Sequence, residues 1–226
     1  MFRSPTPRSF TQWIAILPLL SALACNGASA AVAIPNPAVD EPMAKAKGQA
    51  TVVVAGGCFW GIQAVFQHVK GVQSVTSGYA GGNAATAHYE MVENGDTGHA
   101  ESVKITYDPS MISYGQLLKV FFSVAHDPTE LNRQGPDEGT QYRSAIFYAN
   151  EDQKRIAQAY IDQLNRAKAF SKSIATQVVP LKGFYPAEDY HQDYAIHHPD
   201  NPYIRINDLP KVDHLRQQLA ELYAGK

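Results

Sequence analysis

The sequence predicts a single-domain α/β or α+β sandwich, on two observations. Short runs rich in β-branched residues alternate along the chain with segments whose apolar residues recur at steps of three and four, so strands and amphipathic helices follow one another. The chain has 226 residues, 45% of them hydrophobic and 18% charged, which suits one core with appendages.

The N-terminus stands apart from that alternation. Arg3 and Arg8 precede an apolar run from Trp13 to Ala24 that is too short to span a bilayer, and Ala28-Ser29-Ala30 forms an A-x-A cleavage signal. Residues 1–30 are expected to be a secretory signal peptide, and the protein periplasmic or secreted. Its removal would take the net charge from −2 to −4. The alternative is a lipoprotein anchored through Cys25, but Leu23 in Ala22-Leu23-Ala24-Cys25 fits that signal poorly. Residues 31–50, rich in Ala and Pro, read as a flexible linker, and the domain is expected over 51–226.

Thr51 to Val54 reads as a buried strand, and Gly56 and Gly57 turn the chain sharply. Phe59, Ile62, Val65, Phe66 and Val69 then share one helical face, which Lys70-Gly71 closes. Cys58 therefore falls at a helix N-terminus, whose unpaired N–H groups and partial positive charge are expected to lower a thiol pKa. The bland alternative is a small buried hydrophobe. Val72 to Tyr79 is a weaker strand, and the glycines of 78–83 read as a flexible loop without the Lys-Ser/Thr of a phosphate cradle. After the Asn94-Gly95 turn, Glu101, Val103, Ile105 and Tyr107 occupy one face of a strand. That places Glu101 on the apolar face, either solvated or salt-bridged at a strand end or half-buried with a raised pKa.

Asp108-Pro109-Ser110 is expected to cap a helix carrying Tyr114, Leu117, Leu118, Phe121, Phe122 and Ala125, which His126 to Thr129 stops. A long polar loop, Glu130 to Gln141, follows, and long ordered loops in compact domains are often functional. Next come a strand (Ser144 to Ala149), a helix (Glu151 to Ala169), a strand (Thr176 to Leu181), an aromatic and acidic stretch around His191, a loop (Pro199 to Pro210) and a final helix (Lys211 to Tyr223).

Composition and spacing exclude several classes. There is no basic tract to carry nucleic acid. Eight histidines form no HExxH motif and no Cys/His cluster, so no metal is expected. Cys25 and Cys58 are the two cysteines, so the expected domain holds one thiol and no internal disulfide. A lone thiol in an oxidising compartment favours a working role for Cys58.

GGCFWG at 56–61, GDTGHAESVKITYDP at 95–109, GTQYRSAIFY at 139–148, FYPAEDYHQDY at 184–194 and NPYIRINDLPKV at 201–212 resemble the A-type peptide methionine sulfoxide reductases. The resemblance runs from Thr51 to Tyr223. It implies an α/β two-layer fold around a small mixed sheet with a ferredoxin-like core. It also implies reduction of methionine S-sulfoxide, free or in proteins. By position Cys58 matches the nucleophile, Glu101 the acid, Phe59 and Trp60 the methyl-binding wall, and Tyr89, Asp137 and Tyr142 the other polar site residues. Many members carry C-terminal cysteines that resolve a sulfenic acid; this tail, LAELYAGK, has none. Pro136 and Glu138 flank Asp137, which makes its role less secure.

The chemistry of these residue types agrees. A sulfoxide needs an apolar wall for its methyl and donors for its oxygen. Thiolate attack on sulfur builds charge on that oxygen, which a buried, protonated Glu101 can neutralise while Tyr89 and Tyr142 donate from the sides. The expectation is a monomer with no tightly bound cofactor. Its substrates would be oxidised proteins and its recycling reductant an external thiol: thioredoxin-like, glutaredoxin-like or small. Two rival classes remain at this stage: a cysteine hydrolase using His99 or His191 as base, and a binding module in which Cys58 only packs.

Overall fold

The computed structural model describes Met1 and residues 33–225, so the expected signal peptide lies outside the described residues apart from Met1. β1 (Ala50–Ala55) leads into α1 (Phe59–Gln67), β2 (Val72–Ala80), the short α2 (Tyr89–Val92) and β3 (Ala100–Tyr107). α3 (Tyr114–Val120), the two-residue strands β4 (Arg133–Gln134) and β5 (Asp137–Glu138), and β6 (Ala145–Tyr148) come next. α4 (Glu151–Arg166), β7 (Gln177–Pro180), β8 (Phe184–Pro186), α5 (Tyr194–His197) and α6 (Leu209–Gln218) complete the chain.

Six strands form one mixed sheet in the order β7-β6-β1-β3-β2-β8, with β6 and β7 parallel and the other neighbours antiparallel. β1 lies inside the sheet with apolar groups on both sides. Val52 and Val54 join the large core with α1, α3 and α4, while Val53 and Ala55 face a smaller cluster with Ala145 and Phe147. Burial on both faces is why its sequence runs VVVA without polar alternation. β3 keeps its predicted period: Val103, Ile105 and Tyr107 enter the helix-covered core, and Glu101 shares their face.

Three expectations need correction. The flexible linker is a docked strap over its described part. Ile34 is buried in the core, Tyr160 donates its hydroxyl proton to the Pro35 carbonyl (2.7 Å), and Gln163 bonds Asn36 and Ala38. Asp40 accepts from Gly115 N–H (2.8 Å) and Glu41 from Tyr107 Oη (3.0 Å) and Tyr114 N–H (3.2 Å), so both carboxylates sit on the first turn of α3. The cap of α3 is Ser113 with Gln116 in a capping box, while Asp108 holds its own turn through Ser110. Finally, the expected loop before the last helix contains a π-helical turn over Ile204–Asp208, and Pro210 lies in the first turn of α6, where its missing N–H costs little.

Candidate active site

The site gathers where β1 turns into α1. Gly57 has φ +96°, and a Cβ there would lie 2.5 Å from Gln134 Cγ, so the chain can reverse only with glycine. The turn delivers Cys58 to the N-cap of α1, 8% exposed. One turn on, Gly61 admits Asp208: a Cβ would meet its Oδ1 at 2.1 Å. Asp208 is fully buried and paired with Lys211 Nζ at 3.1 Å.

Glu101, 4% exposed, reaches the same turn from β3. The Phe59 N–H donates to Glu101 Oε2 at 3.0 Å, so the carboxyl occupies one of the orphan amides of the helix start. Burial pushes the Glu101 pKa up to about 8; the Phe59 bond and the neighbouring Cys58 thiol act against that, and the charge of Asp137 adds to it. The carboxyl is therefore largely protonated at neutral pH.

The expected activation of the thiol by its helix is not what the geometry gives. The Trp60 backbone N–H does act to lower its pKa. Burial first, and then the carboxylates of Glu101, Asp208 and Asp137, push it well above the ordinary value. The resting site is a thiol beside a carboxylic acid, neutral on both sides.

The other predicted residues converge on this pair. Tyr89, at the start of α2, has its pKa raised by burial and then by the charges of Glu101, Glu93 and Cys58. Tyr142, on the turn after β5, is raised by burial and then by Glu101, Asp137, Cys58 and Tyr89. Both phenols stay protonated and can donate. Asp137 comes from β5, where it accepts a hydrogen bond from Tyr203.

Phe59 and Trp60 line the apolar side. Trp60 stacks on Tyr194 with centroids 3.8 Å apart and planes 9° apart, and meets Tyr203 edge-on. Its Nε1–H donates to His191 Nδ1 at 3.3 Å, and the His191 ring lies 5.0 Å from Phe59 and 4.5 Å from Tyr89. Indole nitrogen only donates, so His191 Nδ1 is the unprotonated nitrogen of a neutral ring. The hydrolase reading loses its bases. His99 accepts from Gly82 N–H at Nδ1 and donates from Nε2 to the Asn83 carbonyl, His191 is tied to Trp60, and neither bonds the thiol. Among the described residues no cluster of three or more His, Cys, Asp or Glu side chains could hold a metal.

Tyr203, Tyr194 and Asp208 were not singled out by sequence reasoning. Each lies in the stretch from 194 to 208 whose polar spacing carries no helical period, so position along the chain gave no sign that it returns to α1.

The peptide methionine sulfoxide reductase family matches residues 50–223. The chain belongs to that family. It is 60% identical over 181 residues to peptide methionine sulfoxide reductase MsrA 2 of Mesorhizobium japonicum, covering 80% of this chain and 93% of the relative. It is 55% identical over 190 residues to MsrA 2 of Synechocystis, covering 83% and 89%. Methionine sulfoxide reductase A of Corynebacterium diphtheriae superposes with a TM-score of 0.58 at 34% identity, over 77% of this chain and 87% of that one. Reduced Mxr1 of Saccharomyces cerevisiae superposes at 0.62 with 32% identity, over 70% and 92%. The reductase is thus an oxidoreductase acting on methionine sulfoxide, on a mixed α/β single-domain fold.

The Trp60 wall in this reductase is testable apart from its packing. Trp60→Ala is expected to lower kcat/KM per folded molecule by a factor corresponding to about 1–3 kcal/mol, because the indole leaves the apolar side of the site. Stopped-flow kinetics normalised to native protein measures this. Unchanged kcat/KM with only a lower Tm would make Trp60 a core residue.

Proposed function

We propose that the enzyme reduces methionine S-sulfoxide, free and in proteins, through a sulfenic acid on Cys58 that an external thiol recycles. The observation that carries the reading is the Glu101 carboxyl, buried at the helix start that carries Cys58, bonded to the Phe59 N–H at 3.0 Å and with its pKa pushed up to about 8. The substrate methyl lies against Phe59 and Trp60, and its oxygen takes hydrogen bonds from Glu101, Tyr89 and Tyr142. As Cys58 attacks the sulfoxide sulfur, Glu101 passes its proton to the oxygen and receives the thiol proton in return, so no isolated charge forms in the dry site. The S–O bond of this adduct then breaks, its hydroxyl passes to the Cys58 sulfur, and the bond between the two sulfurs breaks as the thioether leaves. The substrate sulfur is reduced by two electrons to a thioether, and Cys58 is oxidised to S–OH.

Recycling takes two thiols. The first attacks Cys58–S–OH, releasing water and leaving a mixed disulfide; the second releases Cys58 as the thiol. Between residues 26 and 226 the sequence holds no other cysteine, which supports an external donor: a thioredoxin-like or glutaredoxin-like protein, or a small thiol. The cycle requires no tightly bound cofactor. The strand order β6-β1-β3-β2, with α1 and α3 as the two crossovers, supports a ferredoxin-like core. The basic and apolar pattern of residues 1–30 supports export, and hence repair of oxidised exported proteins.

The separated diastereomers of N-acetyl-methionine sulfoxide amide test the reading. With dithiothreitol the S form is expected to be turned over and the R form untouched. Equal turnover of both would contradict a site with one methyl wall and one oxygen pole.

A further inference from the structure

Tyr89 stands at the start of a helix of only four residues, α2. His88 at the N-cap makes no side-chain bond to that helix, so the Tyr89 N–H is one of its orphan amides. The acceptor comes from 99 residues along the chain: Glu188 Oε1 takes the N–H at 3.0 Å. The other oxygen, Glu188 Oε2, accepts from Tyr79 Oη at 2.8 Å. Tyr79 is fully buried on β2, is the cross-strand partner of Glu101, and has its ring 5.9 Å from that of Phe59. One carboxylate thus joins Tyr89 to the tyrosine that packs beside the acid and the methyl wall.

We propose that Glu188 is a positioning residue for the reaction: its carboxylate holds the Tyr89 backbone and so aims the Tyr89 hydroxyl at the sulfoxide oxygen. The inference rests on the donor role proposed above for Tyr89.

Glu188 can do this because its own segment is fixed. The Ala187 N–H donates to the Ser77 carbonyl at 2.9 Å. Gln192 Nε2 donates to the Ser77 and Ala187 carbonyls, both at 3.0 Å, while its Oε1 accepts from the Ser77 N–H at 3.0 Å. The backbone around Glu188 is thereby pinned to β2, the neighbour of the strand that carries Glu101. Burial works against the charge of Glu188, but the N–H groups of Tyr89 and of Glu188 itself and the Tyr79 hydroxyl outweigh it, so the side chain stays an acceptor at both oxygens. The Tyr89 ring rests on His191 at 4.5 Å, but its backbone depends on Glu188. An N–H left without an acceptor turns to another, and a single helical turn has few bonds to resist that movement. The hydroxyl sits at the far end of a rigid ring, so a shift of the backbone carries it off the oxygen, and a misplacement of about 1 Å can cost as much as 10²-fold.

Single-turnover reduction of the S form of N-acetyl-methionine sulfoxide amide by reduced enzyme tests this. The proteins compared are wild type, Glu188→Ala, Glu188→Gln, Tyr89→Phe and the variant carrying both Glu188→Ala and Tyr89→Phe, with rates counted per native molecule. Tyr89→Phe is expected to lower the rate constant by roughly 10-fold, as one of three donors to the oxygen is lost. Glu188→Ala is expected to lower it by roughly 3- to 10-fold. The double variant should lose no more than Tyr89→Phe, because the carboxylate acts through the hydroxyl. Glu188→Gln should recover most of the loss: its amide oxygen can accept from the Tyr89 N–H and its nitrogen can donate to Tyr79 Oη. A rate constant unchanged in Glu188→Ala beside a slowed Tyr89→Phe would overturn the proposal. So would losses that multiply in the double variant, or a glutamine variant as slow as the alanine one. Glu188→Leu keeps the bulk and removes both acceptors, so the same comparison stands on it if Glu188→Ala folds poorly. An unchanged rate constant in Tyr89→Phe would instead remove the donor role of Tyr89 from the proposed function, and the positioning role of Glu188 with it.

Discussion

Cys58→Ser is expected to abolish reduction of methionine sulfoxide and leave the fold intact. The substitution deletes one polarisable sulfur from the N-cap of α1, where the thiol makes no cap hydrogen bond to the helix. Serine is a preferred N-cap, and its hydroxyl can accept from the first-turn amides, so stability should hold or rise by up to about 1 kcal/mol. A hydroxyl is a weak nucleophile with no neighbouring imidazole to activate it, and its oxygen cannot take up the substrate oxygen as a sulfur does. Single-turnover product analysis and a thermal melt check both halves. Product above background from a Cys58→Ser enzyme with a native melt would end the assignment of the nucleophile.

The second large effect belongs to Glu101→Gln. The amide keeps the shape and can still accept from the Phe59 N–H, but it has no proton to give at neutral pH. The chemical step should slow by roughly 10²–10⁴-fold, the range for one general acid. A single-turnover rate close to that of wild type would make Glu101 structural only. The same variant should be more stable at high pH, with a sign that follows from linkage. Glu101 titrates at about 8 in the fold against 4.5 unperturbed, so between these values the folded state holds the extra proton. Folding stability therefore falls as pH rises through that window, by about 1.4 kcal/mol per unit, and glutamine removes this loss. Buried His126 has the opposite slope. It titrates at about 4 folded against 6.5 unperturbed, so the unfolded state takes its proton first and stability falls as pH drops below 6.5. In wild type the two trends oppose one another between 4.5 and 6.5; in Glu101→Gln the histidine slope is no longer opposed by Glu101. Melting temperatures from pH 5 to 8 should show the variant gaining on wild type as pH rises. A constant difference would contradict the raised Glu101 pKa.

What the sequence displayed was local. A β-branched run, a glycine pair and a 3.6-residue apolar period identified β1, the turn and α1, so Cys58 was placed from neighbours alone. The period-2 pattern put Glu101 on the core face of β3. The thiol pKa went wrong because the helix start is a local signal, while Glu101, Asp208 and burial come from elsewhere in the chain. The strap was misread for the same reason. Ala- and Pro-rich composition says nothing of Asp40 and Glu41 finding the amides of α3 more than 70 residues on. Tyr203 and Tyr194 reach Trp60 only through the tertiary return of a stretch without hydrophobic period.

The sulfenic acid is the point on which the mechanism stands. The full chain carrying Cys25→Ser has one thiol, Cys58, and therefore no internal partner at disulfide distance. Mixed in reduced form with excess methionine S-sulfoxide and no added thiol, it should release one equivalent of methionine in a burst and stop. The peptide bearing Cys58 should then carry one added oxygen, trapped by dimedone, and dithiothreitol should restore steady turnover. More than one equivalent of methionine without added thiol, or a burst that leaves Cys58 unmodified, would contradict a Cys58 sulfenic acid that waits for an external thiol.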